Sequence, residues 1–109
     1  MNVNTHRDTD VDNTAQAMLA SAGYLDWTHV HNPNGETAFF HVYDALAADV
    51  TVGTTAPKQS YWVPANGSFD LPLGQKRMYF RTGITYAATK AITGNDDPTT
   101  GLILNAWYS

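Results

Sequence analysis

The sequence predicts an all-β protein, a single-domain β-sandwich, on three observations. Along the 109 residues, about eight short runs rich in β-branched and aromatic residues alternate with turn residues. These turn signals recur every 8–12 residues or so, a spacing typical of sandwiches. No stretch shows strong helical periodicity. Jelly-roll and immunoglobulin-like topologies both fit this pattern.

Composition narrows the classes of partner. A net charge of −4 argues against nucleic acid or an anionic membrane as partner. Cysteine is absent, which excludes disulfides and thiolate chemistry. No apolar run approaches the roughly 20 residues of a membrane span, and we expect no signal peptide at the N-terminus. Charged residues make up only 15% of the chain, which favours a surface covered by neighbouring subunits.

The first 22 residues differ from the rest and are predicted to form an extended N-terminal arm. Asp8, Asp10 and Asp12 alternate in a polar segment that has little to bury, so we expect it to stay mobile unless a partner holds it. Residues 14–22 are Ala-rich and predict a short helix with Gly23 as its C-cap. Residues 23–109 then form the sandwich domain.

The strongest local signal lies in residues 25–44, where two aromatic and β-branched runs flank Asn32-Pro33-Asn34-Gly35. Pro33 presets φ and Asn34-Gly35 tolerate positive φ, so we predict a β-hairpin of residues 24–31 and 37–43. Across a three-residue loop, one face carries Leu25, Trp27, His29, His31, Thr37, Phe39, His41 and Tyr43. The other carries Thr28, Val30, Ala38, Phe40 and Val42 and is expected to face the core.

Further strands are predicted downstream of the hairpin. They cover residues 50–52, 59–63, 68–71, 77–81, 83–89 and 102–108. Turns are predicted at residues 64–67 and 72–74, and a long polar loop at residues 93–101.

Three histidines are the one cluster that suggests metal chemistry. His29 and His31 point the same way on a strand, and the hairpin brings His41 to their face, so Zn²⁺ or Ni²⁺ could bind. The alternative is a His and aromatic surface that packs at a subunit contact. We favour it because spacing places no carboxylate behind the imidazoles. We therefore expect no metal and no cofactor.

Other motifs give no catalytic site. Residues 8–12 begin like an EF-hand loop, but Asn13 stands where Gly is needed and Leu19 where a bidentate Glu belongs. Asp96 and Asp97 could bind calcium, although a plain polar loop is the simpler interpretation. With no nucleophile elbow, phosphate loop or spaced carboxylate pair, we expect no enzymatic activity.

Aromatic side chains supply the candidate contact residues. The interface candidates are Trp27, Phe39, Tyr43, Tyr61, Trp62 and Trp107. Four of them could instead stack on sugars, as in a carbohydrate-binding module: Trp27, Tyr61, Trp62 and Trp107.

Several short motifs recur in a known group of proteins. They are Asn32-Pro33-Asn34 between strands, V-x-x-G-T-T-A-P at residues 50–57, Val63-Pro64-Ala65, F-x-T-G-I-x-Y-A-A-T at residues 80–89 and G-L-x-x-N at residues 101–105. Over residues 27–108 or so, the chain resembles small β-sandwich virion structural proteins of tailed bacteriophages.

The resemblance implies a role without catalysis. It implies a capsid decoration or cement protein, usually a homotrimer, that binds the major capsid protein or other virion proteins and stabilises the head. Its location would be the capsid surface, after synthesis in the bacterial host cytoplasm. The alternative is a carbohydrate- or receptor-binding module associated with a tail fibre or baseplate.

Overall fold

The computed structural model describes residues 3–72 and 77–109 and confirms the predicted all-β sandwich. Two antiparallel sheets pack face to face around one core. The strands are β1 (Asn4–Val11), β2 (Gln16–Leu19), β3 (Gly23–His31), β4 (Ala38–Asp44), β5 (Gln59–Val63), β6 (Ser68–Pro72), β7 (Met78–Phe80), β8 (Ile84–Thr89) and β9 (Leu102–Tyr108), with a 3₁₀ turn at Ala47–Asp49.

The strand order identifies the topology. Sheet A has the order β1-β9-β3-β6, with β7 also paired to β3, and sheet B has the order β2-β8-β4-β5. The chain therefore doubles back as one antiparallel ribbon, in which β1 pairs with β9, β2 with β8, β3 with β7 and β6, and β4 with β5. The ribbon is rolled so that β3 also meets β9 and β4 meets β8. This is a jelly roll rather than an immunoglobulin order.

The core lies between the two sheets and is filled by alternate residues of each strand. The set predicted to face inward is confirmed, since Thr28, Val30, Ala38, Phe40 and Val42 are all buried. Leu25 of β3 is also buried, although the hairpin prediction placed it on the opposite face, because the register of β3 shifts between Leu25 and Trp27. Large side chains from other strands complete the core, among them Phe80, Ile84, Tyr86, Leu102 and Leu104. Burying one such side chain contributes roughly 1.5–3 kcal/mol, so the inner faces supply most of the driving force for folding.

The predicted hairpin is wrong, although both of its strands are present. β3 pairs with β6, β7 and β9 in sheet A, while β4 pairs with β5 and β8 in sheet B. Residues 32–37 therefore form an arch from one sheet to the other. The turn residues do reverse the chain. The strand partners, however, are decided by ladders between distant strands, which local turn residues do not determine.

A buried amide holds this arch. Asn32 is 0% exposed, and its Nδ2 is shared among the carbonyls of Glu36, Val63 and Pro64 at 2.9, 3.2 and 3.3 Å. Its Oδ1 accepts from the backbone N and the Nδ2 of Asn34, at 3.0 and 2.9 Å. The Asn32 side chain thus joins the arch to the turn that follows β5.

Asn34 extends the network to a third segment. Its Nδ2 donates to the carbonyl of Thr100 at 2.8 Å, and its Oδ1 accepts from the Thr100 amide at 2.7 Å. The carbonyl of Asn34 also accepts from the amide of Asn66 at 2.9 Å. Two buried side chains therefore fasten three loops at one end of the sandwich.

The N-terminal segment is extended, but it is neither a free arm nor a helix. β1 pairs with β9 from Asn4 opposite Tyr108 to Val11 opposite Leu102. The predicted helix over residues 14–22 is replaced by β2, which pairs with β8. A nine-residue helix is marginal in isolation, whereas a sheet edge offers a ready backbone ladder. Gly23 is required for a close approach rather than a cap, because a Cβ there would lie 2.6 Å from the carbonyl oxygen of Ser109.

The remaining predicted elements mostly match the structure. Strands 59–63, 68–71, 77–81, 83–89 and 102–108 are confirmed to within one residue at each end. Residues 50–52 do not form the predicted strand. The segment around them lies over the outer side of β4, beside His41 and Tyr43. The turn predicted at residues 72–74 extends beyond the described residues.

Replacing the central amide tests the arch. Asn32→Asp keeps the shape of the side chain but turns a carboxylate oxygen toward three backbone carbonyls. We expect the free energy of unfolding to fall by about 3 kcal/mol in urea denaturation, because a buried donor set is lost and a charge is buried.

The matched control is Asn4→Asp, which introduces the same charge at an exposed position at the start of β1. We expect it to change the free energy of unfolding by less than about 0.5 kcal/mol. Equal stability of Asn32→Asp and Asn4→Asp would show that the arch does not depend on Asn32.

Candidate functional site

The three candidate histidines do not converge. His29 and His31 lie on the outer face of sheet A, whereas His41 lies in β4 of sheet B, on the face opposite the core. The predicted three-imidazole cluster was built on the hairpin and is wrong for the same reason. Within residues 3–72 and 77–109, no group of three or more His, Asp or Glu side chains could hold a metal ion.

His41 takes part in a buried hydrogen-bond relay instead. The Thr89 hydroxyl donates to the Ala91 carbonyl at 2.5 Å, so Nε2–H of His41 donates to Thr89 Oγ1 at 2.8 Å. Nδ1 then accepts from the Ser60 hydroxyl at 2.6 Å. Burial lowers the pKa of His41. The lowered pKa favours the neutral imidazole, and its two hydrogen bonds tie β4 to β5 and β8.

A small cavity adjoins this relay. It measures about 160 Å³ and lies beside His41 and Tyr43, under residues 53–57 and 92–94. Small-molecule sites usually measure roughly 300–1,000 Å³. The cavity is thus too small for a typical ligand.

A second polar relay joins the sheets at the β1 edge, and nothing in the sequence pattern indicated it. The Tyr86 hydroxyl donates to Asp8 Oδ2 at 2.8 Å and accepts from His6 Nε2 at 2.7 Å. Burial, and then the neighbouring Asp8 carboxylate, raises the pKa of Tyr86. Burial lowers the pKa of His6, against a smaller opposite effect of Asp8. The relay fastens β1 to sheet B and is structural.

The outer face of sheet A carries two contrasting rows of side chains. In the first, Trp27 of β3 lies directly opposite Trp107 of β9. In the second, two residues further along the strands, the order across the sheet from β6 to β1 is Asp70, His29, Asn105 and Arg7. We call these the tryptophan pair and the polar row.

The tryptophan pair forms one side of a shallow depression. The two indole centroids are 5.2 Å apart with their planes at 46°, and Trp27 also stacks on His29 at 6.1 Å and 11°. Trp107 is 50% exposed. The depression measures about 390 Å³. Its lining residues are Thr5, His6, Arg7, Trp27, Asn105, Ala106 and Trp107.

Within the polar row, His29 Nδ1 lies 3.4 Å from Asp70 Oδ1, and the Asp70 side chain is 60% exposed. Sequence reasoning singled out Trp27, Trp107 and His29 but missed Arg7, Asn105 and Asp70. Alternation along each strand would have placed the missed residues on the outer face. Only the register places them in one row.

Sheet B presents an apolar outer patch. Phe39 of β4 lies opposite Trp62 of β5, and Trp62 is 59% exposed. Phe39 is half-buried. We call Phe39 and Trp62 the sheet B patch.

Two predicted contact residues point elsewhere. Tyr43 is 2% exposed, so its ring is covered by the chain itself. Tyr61 packs against the core and stacks on Phe69 with ring centroids 4.6 Å apart. Among the six interface candidates, Trp62 and Trp107 are the ones with largely exposed rings.

Three aspartates of the segments considered for calcium binding accept hydrogen bonds from backbone amides in turns. The Asp97 carboxylate accepts from the amide of Asn13 at 3.1 Å, and Asp12 accepts from the amide of Thr14 at 2.9 Å. Asp8 accepts from the amide of Asp10 at 2.9 Å. These contacts explain the aspartates as local capping groups of the loops near β1 and β9.

The lowered pKa values of His6 and His41 predict a pH dependence of stability. Both imidazoles resist protonation in the folded state, so the unfolded chain binds more protons as the pH falls through about 6.5. We expect the free energy of unfolding to decrease between pH 8 and pH 5, as measured by urea denaturation. In His41→Gln this slope should flatten, whereas Ser21→Gln, at an exposed position, should keep it. A wild-type stability that rises toward pH 5 would contradict the neutral relays.

Comparison with known proteins gives no relative. No protein-family model, no curated protein and no solved structure matches the chain. Across residues 3–72 and 77–109 there is no helix long and apolar enough to cross a membrane. Function must therefore be inferred from the motifs and surfaces of this chain.

Proposed function

We propose that the protein is a structural virion protein of a tailed bacteriophage, a decoration or cement protein that binds the capsid surface and stabilises the head. The motifs between Asn32 and Asn105 support the virion role through their resemblance to such proteins. The sheet B patch carries the proposal structurally, because it offers the apolar contact surface that such a role needs.

The patch is unusual for a solvated sheet. The solvent face of an antiparallel sheet is normally polar, while here a half-buried Phe39 lies beside an exposed Trp62. Aromatic residues are enriched where protein interfaces are fully buried, and charged residues are depleted there. Burial of Phe39 and Trp62 against another protein would remove this apolar area from water, at roughly 25 cal/mol per Å².

In this proposal, the protein stabilises the head through subunit contacts, without catalysis or a cofactor. Copies of the chain form a homotrimer, as the resemblance implies, and the trimer binds the major capsid protein at joints of the shell. The low charge of the chain, 15% of residues, limits repulsion between neighbouring copies. The protein would be made in the bacterial host cytoplasm and function on the capsid surface.

A second candidate function is a carbohydrate- or receptor-binding module of a tail fibre or baseplate. The tryptophan pair beside the polar row favours it. The two functions differ in what the protein binds when isolated: capsid shells in the first case, and host-surface ligands alone in the second.

Light scattering coupled to size-exclusion chromatography, followed by cosedimentation with capsids that lack the protein, tests the leading proposal. We expect a trimer that binds the shells, and Trp62→Ala should weaken shell binding by about 30-fold, since a central interface Trp typically contributes about 2 kcal/mol or more. Trp107→Ala is the matched control because it removes an indole of similar exposure, 50% against 59%, from the other sheet. A monomer without affinity for capsids would refute the proposal.

A further inference from the structure

We propose that the outer face of sheet A is a binding site for a neutral oligosaccharide. One sugar ring would pack on the tryptophan pair, and its hydroxyls and those of its neighbours would bond to the polar row. This site lies on the opposite side of the sandwich from the sheet B patch, so the inference does not depend on the proposed capsid role.

The tryptophan pair and the polar row lie side by side across the strands of sheet A. Strands in a sheet lie about 4.8 Å apart, so the four side chains from Asp70 to Arg7 span about 14 Å. The tryptophan pair runs parallel to this row, about 7 Å away, because two residues separate them along each strand. An extended ligand lying across the strands can therefore meet an apolar surface on one side and hydrogen-bonding groups on the other.

The tryptophan pair supplies an apolar surface for a sugar ring. Trp107 exposes half of its surface, while Trp27 is half-buried and is supported on one side by the parallel His29 ring. An indole is large and rigid and loses little conformational entropy when it orders a ligand. Its electron-rich face suits the C–H groups on the apolar side of a pyranose ring.

The polar row supplies both hydrogen-bond donors and acceptors. Arg7 supplies donors, Asp70 supplies acceptors, and His29 and Asn105 supply both. Sugar hydroxyls both donate and accept, and the planar guanidinium, amide and carboxylate groups can each contact two neighbouring hydroxyls. The Asp70 carboxylate remains largely exposed despite its contact with His29, so it has acceptor capacity left for a ligand.

Charge and shape favour this ligand over others. Arg7 is balanced by Asp70 in the same row and the whole chain carries −4, which disfavours a phosphate backbone. Two charged side chains in the row also disfavour the buried centre of a protein interface, where charges are depleted. The depression of about 390 Å³ falls within the range of small-molecule sites and combines aromatic with polar lining residues.

Binding of defined sugars to the purified full chain tests the inference. The probes are neutral di- to hexasaccharides of glucose, galactose, N-acetylglucosamine and rhamnose, measured by saturation-transfer NMR and calorimetry. We expect at least one probe to bind wild type. Trp107→Ala should weaken that binding by about tenfold or more, and Asn105→Ala by about three- to tenfold.

Trp62→Ala is the matched control and should change sugar affinity by less than twofold. Thermal melts of all three variants establish whether they fold. If Trp107→Ala does not fold, Asn105→Ala still tests the site. Three results would overturn the site: no probe binds wild type, binding survives both sheet A substitutions, or a single-stranded oligonucleotide binds more tightly than every sugar. A loss of oligomer mass in Trp107→Ala without a loss of sugar affinity would also overturn it. Because capsid binding is measured separately, failure here leaves the shell experiment unaffected.

Discussion

The arch between β3 and β4 depends on one buried side chain whose hydrogen-bonding groups are all used. An apolar residue in place of Asn32 would leave unpaired the carbonyl of Glu36 in the arch and those of Val63 and Pro64 at the end of β5. Asn34 then ties the same arch to the loop before β9. The sandwich is thereby closed at one end by side-chain amides that join the arch, the turn after β5 and the loop before β9.

The two outer faces follow from this arrangement and differ in chemistry. Sheet A carries aromatic rings next to charged and amide groups, whereas the sheet B patch is apolar and the adjoining outer side of β4 is covered by the chain itself. Such a division suits a protein with two contacts on opposite sides. An apolar face favours permanent burial against another protein, and a mixed face favours reversible binding of a polar ligand.

The N-terminal strands make the jelly roll complete. β1 and β2 occupy one edge of each sheet, and the relay of His6, Tyr86 and Asp8 links β1 to β8, the neighbour of β2. The composition of this segment looks too polar to fold. Without β1 and β2, however, β9 and β8 would be edge strands with unpaired backbone groups, and pairing with them stabilises the segment. Its polar side chains make the segment look disordered. In the structure, Asp8 and Asp12 accept from amides of neighbouring turns, and His6 and Asp8 bond to Tyr86.

The sequence by itself determined the β class, the positions of most strands and the inward set Thr28, Val30, Ala38, Phe40 and Val42. Those features depend on turn residues and two-residue alternation, which act over a few residues. Only the tertiary structure decided which strands pair. It separated His41 from His29 and placed Trp27 opposite Trp107, although those tryptophans are 80 positions apart in the chain. A ladder between distant strands is selected by the packing of the whole core, and no local pattern records that choice.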